Sequence, residues 1–240
     1  MTTSSDETAT PAKAGGVGAV IVAAGRSRRM GGGDKLWVSL GGRPLLAHTL
    51  AIFQHCPSIH KIVLVLAPGR EKLGQTLIKN SLLNKVAAIC AGGEERQDSV
   101  RAGLAALGPC EWVVVHDGAR PLVTRELIDK GLAAARATGA ATCAVPLHDS
   151  IKLVSEQGLV EKSLDRRRLW QVQTPQVFRY ELLVEAHRAA AKQPPASDDA
   201  TLVERLGRQV KAYMGSYHNI KVTTPDDMVI AQILIRWHRG

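Results

Sequence analysis

Short apolar runs alternate with amphipathic stretches along the first 145 residues of this 240-residue chain. Residues 20–24, 62–66 and 112–115 are almost continuously apolar, which is typical of strands buried on both faces. Shorter apolar runs predict two more strands over residues 86–90 and 140–145. Because helical patterns separate these runs, we predict an α/β fold with a doubly wound, mostly parallel sheet.

Helices are predicted by apolar positions that recur every three to four residues. One follows Pro44, which suits a first helical turn, and another covers residues 70–79. Val100, Leu104 and Leu107 form one helical stripe, and Thr124 is a candidate cap for the next helix. The remaining predicted elements are helices over 179–191 and 198–206, a last short strand over 219–222, and a C-terminal helix that begins at 225.

The alternation of strands and helices stops after residue 146. Residues 149–154 and 159–162 predict two short strands around the turn Gln157-Gly158, and no helix separates them. They should therefore form an antiparallel hairpin that projects from the domain as an arm. We predict a disordered tail over residues 1–16 and one domain over 17–240, with this β-arm at about 149–168.

The amino-acid composition limits the classes of molecule that the protein is expected to bind. No apolar stretch reaches the about 20 residues needed to span a bilayer, so no membrane partner is expected. Four widely spaced cysteines without a Cys-x-x-Cys pair favour reduced thiols in a cytoplasmic protein. The net charge of +9 allows either nucleic acid or a small anionic substrate, but two phenylalanines, three tyrosines and four tryptophans offer little for base stacking.

Basic and glycine residues follow the first predicted strand. The apolar run ends at Gly25, and the segment that follows contains Arg29, three glycines and Lys35. Such a loop, at the carboxyl end of a parallel strand, favours a polyphosphate site, because backbone N–H groups and cations there can approach phosphate oxygens. It has neither the ending of a P-loop nor a dinucleotide fingerprint. The alternative is a flexible, solvated basic loop.

Several separated motifs give the chain a resemblance to a known family. They are Ala23-Ala24-Gly25 with Arg29-Met30-Gly31 and Lys35; residues 92–100 (GGEERQDSV); and residues 115–121 (VHDGARP). Later in the chain come Asp165-Arg166, Thr174-Pro175-Gln176, and residues 219–227 (NIKVTTPDD). In order and spacing the chain resembles 2-C-methyl-D-erythritol 4-phosphate cytidylyltransferases, from about residue 17 to the C-terminus. The resemblance implies a Rossmann-like nucleotidyltransferase fold.

The resemblance also implies roles for individual residues. The implied catalytic cations are Arg29, Lys35 and Lys221. The implied nucleotide contacts are Ala23, Ala24, Gly25, Gly93, Ser99 and Asp117. The implied substrate contacts are Arg120, Ser150, Arg166 and Thr174, of which Ser150 and Arg166 would reach the pocket of a second subunit in a homodimer. Asp117 would assist the triphosphate oxygens in holding Mg²⁺ or another divalent cation.

By the same resemblance, the chain would transfer CMP from CTP to a sugar-alcohol phosphate, namely 2-C-methyl-D-erythritol 4-phosphate, and would need no nucleic acid. Three alternatives stay open. A ribitol 5-phosphate cytidylyltransferase shares nearly all of these motifs. A nucleotide-sugar-dependent glycosyltransferase would normally carry an Asp-x-Asp metal motif, which His116-Asp117-Gly118 is not. A basic nucleic-acid-binding module would bind DNA with a steep salt dependence.

His116 is not expected to bind a metal ion, because no second histidine lies at metal-ligand spacing from it. We expect its side chain to pack against its neighbours or to orient them.

Overall fold

The computed structural model describes residues 15–25 and 35–237. The strands of the main sheet within them are β1 (Val17–Ala23), β4 (Lys61–Leu66), β5 (Val86–Ala91), β6 (Trp112–Asp117), β7 (Ala140–Pro146), β10 (Trp170–Arg179) and β11 (Lys211–Met214). Their order across this seven-stranded sheet is β11-β7-β10-β6-β1-β4-β5. β10 runs antiparallel to both of its neighbours, whereas the other pairs are parallel. The predicted mostly parallel sheet is confirmed.

Helices cover both faces of this sheet. They are α1 (Leu45–His55), α2 (Glu71–Asn80), α3 (Arg96–Leu107), α4 (Arg125–Thr138), α5 (Tyr180–Ala189), α6 (Asp199–Arg205) and α7 (Pro225–Trp237). Alternate residues of the strands point to opposite faces of the sheet and form two hydrophobic cores. One core packs against α1, α2, α4 and α7, and the other packs against α3, α5 and α6. A doubly wound α/β fold is thereby confirmed. None of the helices in the described ranges is long and apolar enough to cross a membrane.

Side-chain hydrogen bonds hold the starts of two helices, and the one made by Thr124 is as predicted. Thr124 caps α4, since its Oγ1 accepts a hydrogen bond from the Leu127 N–H at 3.4 Å. Helix α7 begins at Pro225, and Asp227 in its first turn accepts from the backbone N–H groups of Thr223 and Thr224. These contacts satisfy donors that a helix start would otherwise leave unpaired.

The late part of the sheet differs from the prediction. Residues 219–222, predicted as a strand, form a loop, and the last strand is β11 instead. The prediction was wrong because the side chain of Asn219 is fully buried and donates to the carbonyl of Thr174 at 2.8 Å, so the segment is held by side-chain contacts and not by a ladder. Strand β10 was also missed, although it lies between β6 and β7.

The predicted hairpin is present. β8 (Ile151–Val154) and β9 (Val160–Leu164) pair antiparallel in a sheet of their own, with a register shift near Val154. A smaller two-stranded sheet, β2 (Ser39–Leu40) with β3 (Arg43–Pro44), precedes α1. The hairpin exposes four apolar side chains, namely those of Leu153, Val154, Leu159 and Val160.

Candidate active site

A cleft of about 650 Å³ lies at the carboxyl ends of β1, β4, β5 and β6. Open α/β sheets bind ligands at this edge because the connecting loops there diverge and leave a crevice. The residues that line it supply small side chains, backbone groups and charges: Val22, Ala23, Ala24, Gly25, Lys35, Leu36, Ala67, Pro68, Gly92, Gly93, Glu94, Glu95, Arg96, Ser99, Asp117, Ala119, Lys221 and Thr223.

In one wall of the cleft, the backbone at Gly92 packs closely against Ala24 and Ser99. A Cβ added to Gly92 would lie 2.3 Å from the Cβ of Ala24 and 2.5 Å from the Oγ of Ser99, so only glycine fits there. The N–H of Gly93 donates to the Oγ of Ser99 at 3.2 Å, and that hydroxyl donates in turn to the carbonyl of Glu95. Ser99 therefore fixes the shape of the loop that precedes α3.

Asp117, at the end of β6, is a buried carboxylate in the cleft, whereas Glu94 and Glu95 are exposed. Its Oδ1 lies 3.1 Å from Nε of Arg96, and its Oδ2 lies 2.8 Å from Nζ of Lys221 and 3.9 Å from Nε of Arg120. Burial alone would raise the pKa of Asp117, but these three cations hold that pKa far below its usual value. Asp117 is thus an anion under all ordinary conditions.

A hydrogen-bonded chain holds the backbone of Asp117 in place. The Asp117 N–H donates to Oγ1 of Thr174 at 3.0 Å, and Oγ1 lies 3.0 Å from Nδ1 of His116. Nε2 of His116 lies 3.2 Å from the carbonyl of Arg120, which can only accept. The proton of the ring therefore sits on Nε2, and Nδ1 accepts from Thr174. Burial lowers the pKa of His116 to about 3, so the ring is neutral. His116 orients its neighbours, as the sequence predicts.

Lys221 reaches the cleft from a loop that is anchored at both ends. Asn219, at one end, accepts from Nη1 of Arg120 at 2.8 Å through its backbone carbonyl. At the other end, Oδ2 of Asp227 accepts from the N–H and the hydroxyl of Thr223, each at 2.7 Å. The N–H of Val222 donates to the carbonyl of Ala119. A flexible side chain on a fixed loop suits a group that must contact an anion.

Arg96 is the residue to which sequence reasoning gave no role. It stands within the motif of residues 92–100, yet nothing local distinguishes it from a solvated arginine at a helix start. In the structure its Nε meets Asp117, and its Nη1 meets Oδ2 of Asp199 at 2.7 Å. Asp199 comes from α6, so only the tertiary fold reveals that Arg96 joins two carboxylates.

The structure brings most of the predicted site residues together, but not all of them. Ala23, Ala24, Gly25, Lys35, Gly93, Ser99, Asp117 and Lys221 line the cleft. Thr174 and Arg120 are buried behind Asp117 and support it. Ser150 and Arg166 lie exposed next to the strands of the hairpin, where Arg166 donates to the carbonyl of His148. Arg29 lies outside the described residues. Within those residues, no cluster of three metal-ligating side chains occurs.

Known proteins resemble this chain over nearly its whole length. The family model described as 2-C-methyl-D-erythritol 4-phosphate cytidylyltransferase (IspD) matches residues 17–237. The chain belongs to this family. The resemblance stated from the motifs is confirmed, and the family includes a relative from Dehalococcoides mccartyi of the same description. That relative is 53% identical over 220 residues, which are 92% of this chain and 96% of the relative.

Solved structures of the family show the same fold. The 4-diphosphocytidyl-2C-methyl-D-erythritol synthase of Anaerococcus prevotii aligns with a TM-score of 0.81 at 29% identity, over 92% of this chain and 96% of its own. The 2-C-methyl-D-erythritol 4-phosphate cytidylyltransferase of Thermus thermophilus aligns with a TM-score of 0.75 at 35% identity, over 90% and 98% respectively. This chain therefore shares its fold with these two structures over at least 90% of its length.

Proposed function

We propose that this protein transfers CMP from CTP to 2-C-methyl-D-erythritol 4-phosphate, giving 4-diphosphocytidyl-2-C-methyl-D-erythritol and pyrophosphate. The observation that carries the proposal is the cleft itself. Lys35, Lys221 and Arg96 bring cationic groups to a wall of closely packed backbone around Gly92 and Gly93. Such a site suits a nucleoside triphosphate and a second anion, and the family membership indicates which two.

The proposed reaction needs positioning and charge neutralisation but no general base. The attacking group is an ionised phosphate, so no proton has to be removed from it. The α-phosphate gains the new oxygen bond and loses pyrophosphate in line, while charge builds on its remaining oxygens. Lys35 and Lys221, which both line the cleft, would stabilise that charge. Arg29 is proposed to join them.

A divalent cation fits the donor set of the cleft in a limited way. Asp117 is the carboxylate that stands among the cations, and both of its oxygens already contact Arg96 or Lys221. Mg²⁺ binds phosphate oxygens and water readily and often takes only one or two protein carboxylates. Asp117 would therefore be an assisting ligand to Mg²⁺ held mainly by the triphosphate. When bound, the ion would neutralise phosphate charge.

The base and ribose of CTP are assigned to the wall made by Ala23, Ala24, Gly93 and Ser99. A narrow pocket lined by backbone groups can reject purines by size. UTP presents a carbonyl where CTP presents an amino group, so a fixed hydrogen-bonding wall distinguishes the two. We therefore propose CTP as the nucleotide.

A pyrophosphate-release assay tests the proposal directly. CTP, UTP, ATP and GTP are each combined with 2-C-methyl-D-erythritol 4-phosphate or with ribitol 5-phosphate. We expect fast release only with CTP and the methylerythritol phosphate. Faster release with ribitol 5-phosphate would establish the alternative acceptor, and no release with any pair would exclude cytidylyl transfer to either acceptor.

We also propose that the protein is a homodimer whose hairpin arms cross between subunits. Two-stranded hairpins are marginally stable in water, and this one leaves Leu153, Val154, Leu159 and Val160 largely exposed. If a second subunit covers these side chains, Ser150 and Arg166 of the first subunit would lie at the cleft of the second. This arrangement accounts for two predicted substrate contacts that lie away from the cleft of their own chain.

A further inference from the structure

Behind the cleft, a buried carboxylate that the proposed reaction does not use holds Arg96 from its far side. Asp199 is 1% exposed, and its Oδ2 lies 2.7 Å from Nη1 of Arg96. Nε of the same guanidinium lies 3.1 Å from Asp117. In the described part of the chain, Nη2 of Arg96 is buried without a hydrogen-bond partner. The orientation of the guanidinium therefore depends on two anchors, one in the cleft and one behind it.

Asp199 is itself rigidly placed. Its Oδ1 lies 3.0 Å from Nε2 of His187, a buried side chain on α5. Because an ionised carboxylate can only accept, Nε2 of the histidine carries the proton of this bond. The backbone N–H of Asp199 donates to Oε1 of Gln176 on β10 at 3.1 Å. Burial alone would raise the pKa of Asp199, but Arg96 and His187 together lower it, so the group is an anion.

We infer that Asp199, fixed by His187, is a positioning residue for the nucleotide site and acts through Arg96 on Asp117. The geometry requires two acceptor oxygens on one small group, one facing Arg96 and one facing His187. Asp199 supplies both. Without its charge, the guanidinium would keep only Asp117 as an ionic partner and would move towards it, and Asp117 would turn away from the place where the nucleotide needs it.

Loss of a positioning residue changes the kinetics in a different way from loss of a residue that only stabilises the fold. A residue that only supports folding lowers the amount of active enzyme and leaves the KM of the remaining molecules unchanged. A residue that positions Arg96 and Asp117 changes the affinity of every molecule for the nucleotide. The kinetic test of this inference rests on the proposed function, since it uses CTP as the probe.

The test replaces Asp199 with asparagine. Asp199→Asn keeps the size of the side chain but removes its charge and one of its two acceptor oxygens. We expect the KM for CTP, and the Kd for CTP measured by calorimetry without the second substrate, to rise about tenfold to a hundredfold, as for the loss of other outer-shell partners of a site. The KM for the methylerythritol phosphate should change less than the KM for CTP, because two of its proposed contacts, Ser150 and Arg166, lie on the hairpin away from Arg96.

The neighbouring carboxylate gives a matched control. Asp198 is the N-cap of α6, where its oxygens accept from the N–H and hydroxyl of Thr201 and from Nε2 of Gln176, and none of these contacts involves Arg96 or the carboxylate of Asp199. Asp198→Asn removes the same charge from the same turn, so it should lower Tm but leave the KM for CTP unchanged. Equal effects of the two variants on the KM, or an unchanged KM in Asp199→Asn, would overturn the inference.

His187 gives a second test. His187→Gln keeps an N–H donor near Oδ1 of Asp199, whereas His187→Leu removes it. The glutamine variant should hold the KM for CTP close to wild type, and the leucine variant should raise it. If both variants raised it equally, the donor would not be the reason for placing a histidine there.

A readout without substrate separates this inference from the proposed function. In a ¹⁵N spectrum of arginine side chains, the Nη1–H signals of Arg96, assigned with Arg96→Lys, should be protected from exchange in wild type and in Asp198→Asn, because Nη1 donates to the buried Oδ2 of Asp199. We expect Asp199→Asn to lose that protection. If wild type released no pyrophosphate but this pattern held, the proposed function would fail and the positioning role would stand. Unchanged protection in Asp199→Asn would refute the positioning role even in an active enzyme.

Discussion

Lys35 and Lys221 reach the same cleft from sequence positions near opposite ends of the chain. Lys35 opens a short 3-10 turn, Lys35–Trp37, directly before the first small hairpin, while Lys221 sits on a loop fixed by Asn219 and Asp227. Their convergence would let two cations that are far apart in the sequence act on one phosphate in the proposed reaction. At the scale of single residues, the site is an arrangement of charges around Asp117.

We expect Lys35→Ala and Lys221→Ala each to lower kcat about 100-fold to 1,000-fold with a much smaller change in CTP affinity. A donor aimed at charge that forms in the transition state is worth about 2.7–4 kcal/mol. Single-turnover kinetics with CTP and methylerythritol phosphate would measure this. Lys72→Ala, an exposed lysine on α2, is the matched control and should behave as wild type. Near wild-type turnover of either cleft variant would remove its catalytic role, and the same expectation applies to Arg29→Ala.

His116 makes stability depend on pH, because it is buried and neutral in the fold. Its pKa is about 3 in the folded protein and 6.5 as an ordinary histidine, so the unfolded chain binds a proton between these values that the folded chain does not. Stability from this group is complete above about pH 6.5 and is lost as the pH falls towards about 3. From pH 7 to pH 5 the loss is about 2 kcal/mol.

His116→Gln keeps an acceptor for Thr174 and a donor for the carbonyl of Arg120 but cannot be protonated. Urea unfolding at pH 7 and pH 5 should therefore show a drop in the free energy of unfolding that is about 2 kcal/mol smaller than in wild type. An equal drop in the two proteins would show that His116 does not carry this part of the pH dependence.

Among the elements, the hairpin of β8 and β9 exposes apolar side chains that no other part of the described chain covers. Leu159 and Val160 are 70% and 61% exposed at and beside its turn, so they have apolar surface without cover in a single chain. If a second subunit covers this surface, a charge placed there must be desolvated on association. Leu159→Asp combined with Val160→Asp should then convert a dimer into a monomer, as measured by sedimentation.

Gln157→Asp in the turn of the same hairpin adds one charge without removing apolar surface, and it should leave the dimer intact. The circular dichroism spectrum of the double variant should match that of wild type, since the hairpin forms a sheet of its own. A double variant that remains a dimer would show that the hairpin is not the interface.

For the whole molecule, the proposed dimer makes each active site composite. Arg166→Ala damages the arm and Lys35→Ala damages the cleft, so each homodimer should be nearly inactive. After subunits exchange, one cleft of a mixed dimer carries neither lesion, and the activity of that dimer should approach half that of wild type. Arg166 is exposed and distant in sequence from Lys35, so the two lesions do not share a local element.

The control for this mixing experiment pairs Lys35→Ala with Lys221→Ala. Both lesions lie in the cleft of their own chain, so every site of a mixed dimer stays damaged and no activity should return. Rescue in this control, or none in the first mixture despite exchange, would contradict the shared site.

The sequence by itself determined the strands and helices whose apolar pattern is strong. β1, β4 and β6 are buried on both faces, and such strands have no polar alternation to obscure them. The stripe of Val100, Leu104 and Leu107 likewise predicted α3 because a helix repeats its buried face every three to four residues. The motifs also brought Asp117, Lys35 and Lys221 into one proposed site.

Only the tertiary structure decided what supports that site. β10 escaped prediction because its two halves are joined by a register shift between Gln173 and Gln176, which interrupts the regular pattern of a strand. That irregular strand places Thr174 behind Asp117. Arg96 and Asp199 are 103 positions apart, and periodicity describes only neighbouring residues. A buried ion pair is visible only after the chain has folded, since it is burial that makes each charge depend on the other.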